Sequence, residues 1–252
     1  MATAEFFKFA GLLTLTDGLF HKAVMSSGGG VSKMMTSKPA ESMYSFWQAV
    51  MEKAGCADLD AFRSLAPEDL FAAWQACKKE IKGSGMAAAP VLDGHFVVDS
   101  GISLLAAGKQ KQIPYMAGST GEDIIPPIIY SMAKNWCAAQ QTPGYSWFFD
   151  RKRPGDDHGA WHSSDLWYWF GTLDNCWRPM TKKDRCLSDR MTSYLTNFAK
   201  TGDPNGPGLP VWNPTTDSKA PSIRLGEGKV RMGKPSMLKL VKTMLTNKAV
   251  GE

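Results

Sequence analysis

The amino-acid sequence predicts an α/β fold with a mostly parallel sheet flanked by helices. Three observations carry that reading. Short apolar runs at residues 23–27, 113–118 and 145–149 read as strands buried on both faces. Stretches with helical spacing lie between and after them, above all Leu187, Met191, Tyr194, Leu195 and Phe198. Strand and helix signals alternate rather than segregate, the pattern of parallel strands joined by helical crossovers. In such sheets function gathers beyond the carboxyl ends of the strands. The loops after Gly118 and after Phe149 are therefore where chemistry is expected.

In chain order, Ala23-Val24-Met25-Ser26-Ser27 runs into Gly28-Gly29-Gly30 and reads as a strand entering a loop. Residues 39–55 open at Pro39 and stop at Gly55, as helices prefer. A second helix opens at Pro67 with Glu68 and Asp69 in its first turn and closes near Gly83. Val91-Leu92-Asp93-Gly94-His95-Phe96 reads as a turn between extended pieces. Residues 113–118 form the second strand, 127–139 a helix, and 145–149 the third strand. The long apolar stripe closes at Gly202, inside the turn cluster Thr201-Gly202-Asp203-Pro204-Asn205. Ile223-Arg224-Leu225 and Val230-Arg231-Met232 suggest a hairpin around Gly226 and Gly228. A last helix, 236–247, is expected to bury Met237, Leu238, Val241, Met244 and Leu245. No internal repeat, low-complexity segment or linker interrupts the chain, so residues 1–252 read as one domain.

The composition, 43% hydrophobic and 21% charged over 252 residues, supports a sizeable core and excludes a disordered chain. The net charge of +5 comes from 29 basic and 24 acidic residues, spread without a long run. That predicts a solvated basic surface and no nucleic-acid partner. Five cysteines without Cys-x-x-Cys spacing give no metal signature. Buried free thiols are the expectation, with Cys56–Cys77 or Cys176–Cys186 bridges the alternative in an oxidising compartment. The first residues lack an apolar leader core and no run is long enough to span a bilayer, which makes a cytoplasmic location the default for this chain.

Taken by spacing alone, the chemistry-bearing residues have plain roles. His162 ends a Gly/Asp-rich loop ahead of Ser163-Ser164-Asp165, which can cap a following helix. Glu122 and Asp123 precede a helix opening at Pro126 or Pro127 and can cap it. His158 reads as exposed and His95 as a packing residue. Ser27 lies beside a glycine-rich loop but lacks the strand-turn-helix elbow of a nucleophile. No Gly-x-Ser-x-Gly pentad occurs anywhere.

Three segments alter this reading. They are Phe20-His21-Lys22-Ala23-Val24-Met25-Ser26-Ser27-Gly28, then Gly159-Ala160-Trp161-His162-Ser163-Ser164-Asp165-Leu166-Trp167-Tyr168-Trp169-Phe170-Gly171, then Asn197-Phe198-Ala199-Lys200-Thr201-Gly202-Asp203-Pro204-Asn205. Together, and in this order, the chain resembles the type-B carboxylesterase family, the α/β-hydrolase branch that includes para-nitrobenzyl esterases and cholinesterases. The resemblance implies the C-terminal part of an α/β-hydrolase fold, with the N-terminal strands and the nucleophile elbow missing. It implies a small-molecule carboxylic ester as substrate, an acyl-enzyme mechanism, and no metal or organic cofactor. His162 falls at the family's catalytic base. Asp123, five residues after Gly118, falls at the acid, with Glu122 the alternative. His21 falls at a structural position. Counting back from Gly18 puts the nucleophilic serine at or before Met1, so the chain alone is expected to be inactive. Self-association or a complementing N-terminal half are the expected partners. The rival readings are one half of a split esterase and a non-catalytic interaction module. The interval from Asp123 to His162 is shorter than in cholinesterase-like members, so Trp161, Trp167, Trp169, Phe170 and Trp177 either line an open apolar site or, as expected for most of them, pack in the core.

Overall fold

The computed structural model describes residues 14–28, 37–81, 90–226 and 229–246. Gly29, Gly30, Gly83, the hairpin turn at Gly228 and the expected helix end at 247 lie outside the described residues. Strand β1 (Ala23–Ser26) comes first, then helices α1 (Tyr44–Lys53), α2 (Leu59–Arg63), α3 (Pro67–Glu80) and α4 (Gly101–Ala106). Strand β2 (Tyr115–Thr120), helix α5 (Pro126–Ala138) and strand β3 (Gly144–Asp150) follow. Helices α6 (Leu166–Trp169) and α7 (Lys182–Thr201) precede strands β4 (Ser222–Gly226) and β5 (Arg231–Gly233), and helix α8 (Met237–Thr246) ends the series.

The five strands lie in the order β1-β2-β3-β4-β5. β1 to β4 are parallel, and β5 returns antiparallel with Ile223 opposite Met232. Each sequence-derived strand is present, with its ends moved. β2 begins at Tyr115 because Pro114 has no N–H for the ladder; its carbonyl accepts from Ala23 instead. β2 then runs on through Ser119 and Thr120, both fully buried despite their hydroxyls. Gly118 is required where β2 runs beside β3, opposite Trp147, because a Cβ there would fall inside the Trp147 ring.

Side chains alternate between two helical layers. On one face Tyr115 and Ala117 meet Ala133, Trp136 and Cys137 of α5, while Phe148 meets Tyr130 of α5 and Leu240 of α8. On the other, Trp147, Phe149, Ile223 and Leu225 pack against Tyr168 and Trp169 of α6 and Leu187, Met191, Tyr194 and Phe198 of α7. α7 has the expected stripe and ends on Gly202 at φ 83°. Its start is a capping box in which Thr181 and Asp184 satisfy each other's backbone. α1 and α3 form a satellite core around Phe46, Val50, Ala73 and Cys77.

Several sequence expectations fail here. The five cysteines are free thiols, as expected, and neither alternative bridge forms, but only Cys77 and Cys137 are buried. Only Leu240 of α8 is buried, while Met237, Leu238, Val241 and Leu245 are exposed. The apolar residues occupy both sides of this helix, and only one side meets α5. Of the five aromatics around and after His162, Trp169 alone is buried; Trp161, Phe170 and Trp177 are exposed. His95 is exposed in a turn whose N–H groups, from His95 to Val97, all point to Asp93 Oδ1. Among the described residues no helix is long and apolar enough to cross a membrane.

Candidate active site

The carboxyl end of β2 carries Gly121-Glu122-Asp123, and the long loop after β3 carries His162. The two loops are tied by backbone. Glu122 and Trp161 form a parallel bridge, and the Glu122 N–H donates to the Ala160 carbonyl at 2.9 Å. The structure brings His162 to Asp123: Nδ1 lies 2.7 Å from Oδ1. Thr120 N–H and Oγ1 donate to the other Asp123 oxygen, and the Ile124 N–H to Oδ1. Asp123 is therefore held at four points while 1% exposed. The His162 side chain keeps 30% of its surface open. With Asp123 ionised the ring donates from Nδ1, which leaves the Nε2 lone pair free.

Glu122 has a different task. Its carboxylate accepts from the Ala160 N–H at 2.7 Å, beside Gly159 at φ 63°. A side chain at Gly159 would press on that carboxylate. Neither acid caps α5, whose N-cap is Ile125 without a side-chain bond. Arg153, 4% exposed, completes the brace. Its guanidinium donates twice to the Gly159 carbonyl, at 2.7 and 3.1 Å, and lies over the Trp161 ring. His158 is exposed and donates its own N–H to Asp156. His21 is exposed as well.

Charge is shared unevenly. Burial alone would raise the Asp123 carboxyl, but the His162 bond, with the nearby Ser27 hydroxyl and the Ile124 N–H, outweighs it and holds it below the usual range. The Ser27 hydroxyl has no hydrogen bond of good geometry, and Ser27 sits at φ 54° with its N–H on the Gly118 carbonyl at 2.8 Å. The His162 imidazole is raised above its ordinary value, first by the Asp123 bond. Asp165 moves the opposite way: burial pushes its carboxyl up.

Asp165, with Ser26, is what sequence reasoning missed. In place of capping α6, Asp165 is fully buried and accepts from Ser26 Oγ at 2.9 Å and Trp169 Nε1 at 3.0 Å. It pins the helix behind His162 to the end of β1. The one signal was the i, i+4 spacing of Asp165 and Trp169; the Ser26 partner is a tertiary contact. Ser163, between the base and this anchor, is held at φ 67°. Among the described residues no cluster of His, Cys, Asp and Glu could hold a metal. A cleft of about 310 Å³ beside Arg151 and Leu187 and one of about 40 Å³ beside Glu122 and Leu240 are lined by neither His162 nor Asp123.

A mostly parallel sheet covered by helices on both faces, with strand-end loops converging on one carboxylate and one imidazole, is an α/β-hydrolase layout. Residues 2–142 and 125–243 match the carboxylesterase family, and the chain belongs to it. It is 29% identical to human bile salt-activated lipase over 127 residues, 46% of this chain and 16% of that protein. It is 49% identical to carboxylesterase 5A of Felis catus over 39 residues, 16% of this chain and 7% of that protein. In fold it is similar to a PNB esterase, with a TM-score of 0.78 and 19% identity, covering 96% of this chain and 61% of that one. A thermophilic PNB esterase superposes with a TM-score of 0.76 at 20% identity, covering 95% of this chain and 61% of that one. The chain thus spans under two thirds of the length of these relatives.

Proposed function

We propose that this chain supplies the general base and the orienting acid of a serine carboxylic-ester hydrolase, as one partial α/β-hydrolase domain over residues 1–252. The observation that carries this is the 2.7 Å contact between His162 and a buried, ionised Asp123. His162 Nε2 takes the proton of a serine hydroxyl as it attacks the ester carbonyl. Asp123 fixes the ring's tautomer and stabilises the imidazolium that forms. The imidazolium then returns its proton to the departing alcohol, and water repeats the cycle on the acyl-enzyme. None of these steps calls on a metal or organic cofactor.

The serine and the oxyanion donors belong to a complementing N-terminal half, since no Gly-x-Ser-x-Gly pentad occurs in the 252 residues. The absent pentad equally favours a second reading, a non-catalytic interaction module that retains the base and acid. Co-expression with the N-terminal half of a relative separates the two. Hydrolysis of short p-nitrophenyl esters that vanishes in His162→Ala supports the split hydrolase. A soluble complex without turnover supports the module.

A further inference from the structure

The net positive charge gathers on one part of the fold. Residues 229–248 hold six lysine or arginine residues and no acid, so the remainder of the chain is close to neutral. Helix α8 lies inside this segment. It is anchored by Leu240 against Tyr130 and Phe148, and its first turn borders a cleft that Glu122 helps to line. Its other apolar side chains meet water: Leu238 is 82% and Leu245 74% exposed, with Val241 and Met237 also open. Positions 238, 241 and 245 share one stripe at helical spacing. Lys242 borders that stripe, and Lys239 stands on the same side of it, toward the cleft that Glu122 and Asp150 also line; both are exposed.

We propose that α8 docks this chain onto an anionic phospholipid surface. Leu238, Val241 and Leu245 would enter the boundary between headgroups and acyl chains, while Lys239 and Lys242 extend their ammonium groups to the phosphates. Charge complementarity selects this occupant. A helix that carries two lysines and no acid beside its wetted apolar stripe, in a segment with six basic residues, has the composition that anionic bilayers attract. A neutral bilayer or an ordinary protein groove gives no reason for that one-signed charge.

Flotation of the full chain with vesicles tests this without any substrate, and so stands apart from the hydrolase reading. Aggregates sink and lipid-bound protein rises. The chain is expected to float with phosphatidylglycerol-containing vesicles at low salt, and not with pure phosphatidylcholine. Replacing Lys239 and Lys242 by Gln is expected to weaken partitioning on the order of 30-fold, and Leu238→Ser with Leu245→Ser to abolish it. All four side chains are exposed, so matching thermal melts show that the variants stay folded. No flotation with anionic vesicles, equal flotation with neutral ones, or insensitivity to both variants overturns the proposal. So does a change in oligomer mass in these variants without lipid binding, which makes the occupant a second copy.

Discussion

At the residue scale the His162–Asp123 pair makes a pH prediction with a definite sign. His162 is raised in the folded state, so its contribution is fully present below the unfolded value, about 6.5, and fades as pH rises through the folded value. Asp123 is lowered, so its contribution is present above about 3.9 and fades as pH falls through the folded value. The pair thus stabilises most between about pH 4 and 6.5. Asp123→Asn is expected to lower the His162 pKa and to flatten that part of the stability profile. An NMR titration of the ring settles it; an unmoved midpoint would mean that Asp123 does not hold the imidazole. Ser163 makes a second case. A serine at φ 67° carries backbone strain that glycine avoids, so Ser163→Gly should stabilise the fold by about 0.5–1 kcal/mol. Chemical denaturation measures it, and a loss of stability would place a favourable contact at the Ser163 side chain.

At the scale of elements, Asp184 decides whether α7 starts where it does. Its carboxylate is fully buried and accepts from Arg151 Nε at 2.8 Å, Tyr168 OH at 2.7 Å and the Thr181 N–H at 2.8 Å. These bonds outweigh the cost of burial and hold its carboxyl far below the usual range. Asp184→Ala removes the carboxylate to which the mostly buried Arg151 guanidinium and the buried Tyr168 phenol donate, and is expected to cost about 3–5 kcal/mol, read as a fall in urea midpoint. Gly118→Ala, which drives a methyl into Trp147, should cost about 3 kcal/mol or more. An unchanged midpoint in either variant would contradict the packing described. These elements also show what the sequence made legible. The strands at 23, 115 and 145 were readable because burial on both faces leaves an unbroken apolar run. The burial of α8 was misread because apolar residues lie on both its sides, and periodicity does not say which side meets α5. Asp165 read as a helix cap because its partner Ser26 is 139 residues away. Asp123 and His162 were found through motif positions; by spacing alone they looked like a cap and a loop residue.

At the scale of the whole molecule, the sheet's first edge carries the last prediction. Among the described residues β1 pairs with β2 alone, so its outer N–H and C=O groups have no strand partner. Val24, which pairs with Met116, is exposed although its neighbours Ala23 and Met25 are buried. A short parallel edge of this kind is a template for another strand. Leu15 and Leu19 add exposed apolar surface just ahead of it. The isolated chain is therefore expected to self-associate with rising concentration, and to become monodisperse when co-expressed with the N-terminal half of a relative. Val24→Lys, which places a charge on the edge without touching the His162 loops, should reduce the association. The α8 variants, on a different face of the sheet, should leave it unchanged. Light scattering reads both. A monomer at all concentrations that binds no hydrophobic dye would mean that this edge is already closed, and would shift weight from the split hydrolase toward a self-sufficient interaction module.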